Sequence, residues 1–192
     1  MRKIVCLLLI VLFAASVYGQ ESVRVLIDTE LGEIEVEVDV AKAPGTAANF
    51  LRYADEKFYD VGQFHRTVTM QNQPNNDVKI EVIQASIEEA RKDDQFDPIP
   101  LERTTKTGLL HKDGAISMAR GEPDSATSSF FFCIGDQPEL DFGGARNPDG
   151  QGFAAFGRIT RGMDVVKKIQ MSPREEQRLT PPVRIRSVRR LP

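Results

Sequence analysis

Cysteine, histidine and tryptophan are scarce in this 192-residue chain, which holds two, two and none of them. Two cysteines allow one disulfide at most, and Cys6 lies in a segment with the marks of a secretory signal peptide. Arg2 and Lys3 give a basic start, Ile4 to Val17 is an almost unbroken apolar run, and Val17 and Gly19 sit where a cleavage site takes small residues. The run is short of the ~20 apolar residues of a membrane anchor, and the acidic Glu21 follows it. Cleavage after Gly19 is therefore expected. It leaves residues 20–192 as one exported domain, secreted and periplasmic, with no stable membrane insertion. The mature chain then keeps only Cys133, so no internal disulfide forms and the fold must rest on apolar burial. Cys133 lies in the apolar run "SFFFCIG" and reads as a buried, inert thiol.

The two histidines, His65 and His111, come without clustered cysteines or carboxylates and make no metal site. His111, in "LLHKDG", reads as a turn residue with no spaced partner. There is no G-x-S-x-G elbow, so a serine hydrolase built on Ser117, Ser128 or Ser129 is the weakest reading. A surplus of positive charge is missing too: the net charge is −3, and loss of Arg2 and Lys3 makes it more negative. That argues against nucleic acid or an anionic membrane as partner.

What is present is period-two alternation. "SVRVLID" and "EIEVEVD" flank a Thr29-Glu30-Leu31-Gly32 turn and predict a hairpin. Pro44 and Gly45 then break the strand, and Thr46 is placed to cap a short helix whose stripe is Ala47, Phe50, Leu51 and Ala54. Further strands are expected at 63–68, 78–85, 115–120, 129–134 and 154–159, a second helix at 163–169, and a last strand in "VRIRSVRR". Residues 69–77 form a polar loop, 86–107 a long surface excursion, and "DFGGARNPDGQG" a flexible loop rather than a phosphate cradle. Many short strands with only two helices indicate an all-β barrel or sandwich.

The order of "TELGEIEVEV", "APGTAANFLRYADEKFYD", "FHR", "GAISMAR", "SSFFFCIGDQPELD" and "GFAAFGRITRGMDVVKKI" resembles the cyclophilins, a family of peptidyl-prolyl isomerases, over nearly all of residues 22–190. The chain looks like a divergent, secreted, bacterial-like member. The resemblance implies a closed eight-stranded antiparallel barrel capped by two short helices, monomeric, acting on proline-containing polypeptides without metal or cofactor. It makes Arg66 of "FHR" the catalytic residue. It assigns substrate binding to Gln84, Phe131, Leu140, Phe153, Val82 and Ser129, and to the backbone of Ala119 and Arg120. Phe64, Phe130 and Phe132 read as core, and His65, on the face opposite Arg66 by alternation, as structural. The sequence departs from the family around the site. Residues 69–77 are an insertion, Glu81 stands where the family has a pocket phenylalanine, and Glu139 occupies the position of an indole in many members. Glu81 is expected to pair with Arg66 or Arg120, and Thr69 or Met70 to rebuild part of the wall. A pocket altered in this way leaves a second reading open, a non-catalytic peptide-binding module.

Overall fold

The computed structural model describes residues 21–192, so the signal-peptide reading and Cys6 lie outside the described residues. Nine strands follow in chain order: β1 (Ser22–Thr29), β2 (Gly32–Asp39), β3 (Gln63–Val68), β4 (Val82–Ser86), β5 (Ala115–Met118), β6 (Phe130–Cys133), β7 (Ala154–Arg161), β8 (Arg174–Glu175) and β9 (Arg178–Arg190). Three α-helices, α1 (Pro44–Asp55), the single turn α2 (Thr104–Thr107) and α3 (Met163–Gln170), and two 3-10 helices, Glu89–Asp94 and Pro138–Leu140, lie between them. The spatial order is β1-β2-β7-β5-β6-β4-β3-β9, and β9 returns to pair with β1. This is the expected closed eight-stranded barrel, and β8 adds a two-residue hairpin arm to β9. Closure leaves no long edge for pairing with another chain.

The alternation that predicted the strands also fills the barrel. Val25, Ile27, Ile34, Val36, Phe64, Ile83, Ile116, Phe130, Phe132, Phe156 and Ile185 are buried in one core cluster. A buried phenylalanine contributes about 1.5–3 kcal/mol. The hairpin turn brings Gly32 to φ +134°, under Val165 of α3. A Cβ there would sit 2.9 Å from a valine methyl, so both backbone and packing select glycine. Helix α1 closes one end of the core with the stripe expected for it: Ala47, Phe50, Leu51 and Ala54 are all buried. The Phe50 ring lies 5.2–5.4 Å from Tyr59, Phe130 and Phe156.

Four expectations change. Thr46 does not cap α1, which starts at Pro44 with no side-chain cap on Ala43. The cap comes from 57 residues away: Glu102 accepts from the Gly45 N–H (3.1 Å), the Thr46 N–H (2.7 Å) and the Thr46 hydroxyl (2.6 Å). Its carboxylate satisfies the unpaired donors of the first turn and meets the positive end of the helix dipole.

The charged segment 86–107 is accordingly part of the body. Phe96 packs on Tyr53 and Phe58 at 4.5 and 5.0 Å and donates its N–H to the Tyr53 hydroxyl. The side-chain Oε1 of Gln95 accepts from the hydroxyls of Thr127 and Ser128. These anchors are single residues scattered through charged sequence, so no periodic pattern announces them.

Finally, the strand expected over 78–85 starts only at Val82. Upstream, the buried Gln73 side chain takes the place of a neighbouring strand, donating to the Ile80 carbonyl (2.8 Å) and accepting from its N–H (3.3 Å). The loop 141–152 is likewise fastened, by Arg146 to Gln73 and Val78 and by Asp149 to Arg120.

Replacing Glu102 with alanine uncaps α1 and is expected to lower stability by about 1–2 kcal/mol. Urea unfolding checks this. An unchanged midpoint would show that solvent caps the helix equally well.

Candidate active site

Strand alternation alone would put Arg66 on the same side as Phe64, inside the barrel. The pairing between β3 and β4 shows why it is not there: Phe64 pairs with Ala85 and Arg66 with Gln84, so two steps on β3 match one on β4. His65 is the extra residue of a β-bulge, and the pairing with β9 is also interrupted at this point, Phe64 facing Val183 and Arg66 facing Arg178. Beyond it the faces exchange. Phe64 lies in the core, whereas Arg66 shares the outer face with Gln84, and Val68 shares it with Val82. His65 is half-buried, with Nδ1 3.3 Å from the Ser86 hydroxyl, and burial, the largest influence on it, lowers its pKa. It contributes to the framework, as expected, but through the bulge rather than by alternation across the strand.

Arg66 is held on two sides by neutral amides. Its Nη1 donates to Gln84 Oε1 at 2.9 Å, while Nε and Nη2 both donate to Gln177 Oε1, at 3.0 and 2.6 Å. Gln177 lies between β8 and β9, and its own NH2 donates to the Asn72 carbonyl in the inserted loop. Asn72 in turn bonds the carbonyls of Thr67 and Glu176. Burial first, and the charge of Arg146 second, lower the pKa of Arg66. A guanidinium still keeps its proton, so Arg66 is a fixed, charged, partly desolvated donor.

Beside it opens a cavity of about 220 Å³ lined by Arg66, Ile80, Val82, Gln84, Phe131, Leu140 and Phe153 among others. It is smaller than the ~300 Å³ at which drug-sized sites begin, a scale suited to a single ring or side chain. Its apolar floor is a second cluster, separate from the barrel core: Val68, Ile80, Val82, Phe131, Cys133 and Leu140, with Phe153 against it. Phe130 and Phe132 face inward and Phe131 outward, as alternation requires. Phe131 and Phe153 meet edge to face at 5.5 Å. Beneath them Cys133 is fully buried, and burial raises its thiol pKa, which keeps it protonated and unreactive.

The comparisons with known proteins bear directly on this arrangement. The family model for cyclophilin type peptidyl-prolyl cis-trans isomerase/CLD matches residues 24–190. This chain belongs to the cyclophilin family. A peptidyl-prolyl cis-trans isomerase of Acinetobacter baylyi is 35% identical over 159 residues, covering 82% of this chain and 77% of its own. Peptidyl-prolyl cis-trans isomerase B of Escherichia coli is 33% identical, covering 74% and 80%. The crystal structure of a cyclophilin type isomerase from Cryptosporidium parvum superposes with a TM-score of 0.71 at 17% identity, over 89% of this chain and 98% of that one. The same protein has been crystallised in the presence of the dipeptide Ala-Pro, with a TM-score of 0.70.

Most residues singled out from the cyclophilin pattern gather here: Arg66, Val82, Gln84, Ala119, Arg120, Phe131, Leu140 and Phe153 all line the one cavity. Ser129 does not line it; its carbonyl accepts the Ala119 N–H at 2.8 Å. Arg120 packs its side chain against Phe153, donates to the Gly152 carbonyl, and forms a two-pronged ion pair with Asp149 at 2.7 and 3.0 Å.

Glu81 pairs with neither arginine. Its carboxylate accepts from the Gln170 amide, and its N–H donates to Gln137. The wall is rebuilt by Ile80, one residue earlier, rather than by Thr69 or Met70. Gln73 makes that exchange possible, because it grips Ile80 in place of a strand and so resets which residue of the segment faces the cavity. Gln177, Arg146 and Gln73 were missed: each sits in a polar loop, and its role depends on a partner more than 70 positions away or on a loop conformation.

His111 also differs from its expected turn role. It is 1% exposed and lies between Asp141, 2.7 Å from Nδ1, and the buried Ser117 hydroxyl, 2.9 Å from Nε2. Its ring is parallel to Phe131 at 6.0 Å and edge-on to Phe153 at 6.5 Å. The order Asp-His-Ser has the connectivity of a hydrolytic triad, but Ser117 is 0% exposed, so no substrate reaches it. The chain supports the pocket floor. His111→Ala orphans the Ser117 hydroxyl and removes a ring from beneath Phe131. The expected cost is about 1–3 kcal/mol in denaturant unfolding, whereas retention of full stability would show that water replaces the ring without loss.

Proposed function

We propose that the protein catalyses cis-trans isomerisation of X-Pro bonds in secreted or cell-envelope polypeptides, with Arg66 as the catalytic residue. Rotation about such a bond meets a barrier of about 18–20 kcal/mol because the nitrogen lone pair is delocalised into the carbonyl. In the twisted transition state the nitrogen regains that lone pair. A donor aimed there binds the transition state better than either planar ground state. The observation that carries the reading is the guanidinium of Arg66, braced by Gln84 and Gln177 at the rim of an apolar cavity of ring size.

In this reading the proline ring enters the cavity over Phe131, Leu140, Phe153 and Ile80. Arg66 reaches the prolyl nitrogen, and the backbone around Ala119 aligns the chain. Since the Ala119 N–H is already committed to Ser129, its carbonyl is the group that accepts from the substrate. Neutral amides rather than carboxylates hold Arg66, so its charge is not spent within the protein before substrate arrives. The exported location rests on the N-terminal segment with its basic start, apolar run and small-residue cleavage site.

With a proline tetrapeptide, the protein should shorten an exchange that takes about 10–100 s uncatalysed. Arg66→Ala should lower kcat/KM on the order of 10²–10³-fold. Native protein that leaves exchange at the uncatalysed rate would sink the proposal; peptide binding retained without turnover would select the non-catalytic module instead. Gln177→Ala frees two of the nitrogens of Arg66 and should cost about tenfold in kcat with KM nearly unchanged, since it disorders the donor and not the ring pocket. An equal loss in an Arg66→Ala background would show that Gln177 acts through stability alone.

A further inference from the structure

Among the described residues, the cavity is lined by three arginines, Arg66, Arg120 and Arg146, and by no carboxylate. Only one of the three has its charge balanced: Arg120 is paired with Asp149 through both oxygens, with its side chain 1% exposed. Arg66 donates to two glutamines. Arg146 donates from Nη1 to Gln73 Oε1 at 2.8 Å and to the Val78 carbonyl at 2.6 Å, both neutral acceptors. The nearby acids are engaged elsewhere: Glu81 with Gln170, Glu139 with the Ala145 N–H, and Asp141 with His111. Arg146 itself is half-buried, and it lowers the pKa of Arg66, so the two charges sense each other.

Two uncompensated guanidinium groups around one small cavity are costly to desolvate, and the local sign is opposite to the net charge of −3. A ligand that brings a carboxylate removes that cost on binding, and a guanidinium is well shaped to accept one. The groove wall supplies no other counter-ion. We infer that the site is selective for acidic substrates, namely peptides with Asp or Glu flanking the proline, and that Arg146 is the specificity-determining residue that receives the carboxylate. The inference rests on the isomerase reading. It extends it from any prolyl peptide to a chemical class, and assigns a role to the inserted loop, whose Gln73 holds Arg146 in position.

The test uses tetrapeptides with Glu, Gln or Lys next to proline, on either side in turn. Binding is measured by titration and isomerisation by kcat/KM. Glu is expected to exceed Gln by about tenfold at one of the two positions, with Lys the poorest, in affinity as well as in kcat/KM. Raising salt from about 0.05 to 0.5 M should shrink the ratio between Glu and Lys, because the charges are only partly buried. Arg146→Gln should bring the Glu-to-Gln ratio below about two, and Arg146→Lys, which keeps the charge, should preserve most of it. That pair separates a charge effect from simple loosening of the loop. Equal handling of Glu and Gln at both positions, or selectivity surviving Arg146→Gln, overturns the inference. The failure of the isomerase reading has a separate signature, absent turnover of the Gln peptides, and the affinity ordering remains interpretable in that event.

Discussion

The site depends on one extra residue in β3. A closed barrel offers each strand two faces, and the period of two commits every residue to one of them. Without His65 as a bulge, Arg66 would follow Phe64 into the apolar interior, where an unpaired guanidinium costs several kcal/mol. With it, Phe64 keeps its place among the core aromatics and Arg66 emerges beside Gln84, two residues later in the chain but on the opposite face. The short distance in sequence between a core phenylalanine and a site arginine is therefore a consequence of local backbone geometry.

Around that arginine the inserted loop 69–77 does structural work that a strand would otherwise do. Gln73 pairs with the backbone of Ile80, Asn72 ties Thr67 to the β8–β9 turn, and Gln177 links that turn to Arg66. The result is a rim of side-chain amides, which orient charged neighbours without neutralising them. The apolar floor has a similar hidden support in the Asp141-His111-Ser117 chain under Phe131. Both supports are polar, buried or half-buried, and satisfied, the condition under which such groups specify a geometry rather than weaken it.

The strands, the hairpin, the α1 stripe and the separation of Phe131 from Phe130 and Phe132 were legible because each follows from periodicity and local turn chemistry. The cyclophilin motifs, read in order, also singled out Arg66, Gln84, Phe131, Leu140 and Phe153, which line one cavity. What stayed hidden has a common character. The Glu102 cap on α1, the anchoring of Phe96, the exchange of Ile80 for Glu81 at the cavity wall, and the braces from Gln177 and Arg146 all join residues far apart in sequence, through single side chains in polar segments. Periodicity carries no record of such contacts, and Glu81 shows the penalty: alignment put it at the site, and a register set by Gln73 turned it away.

The sequence by itself determined the class of fold and the family, because alternation dictates which side chains are buried and the motif order names the family. Tertiary structure alone decided which face Arg66 occupies, what holds it, and which charges around the cavity stay unbalanced. Those outcomes depend on a one-residue register shift and on distances between loops, quantities that exist only once the barrel has closed.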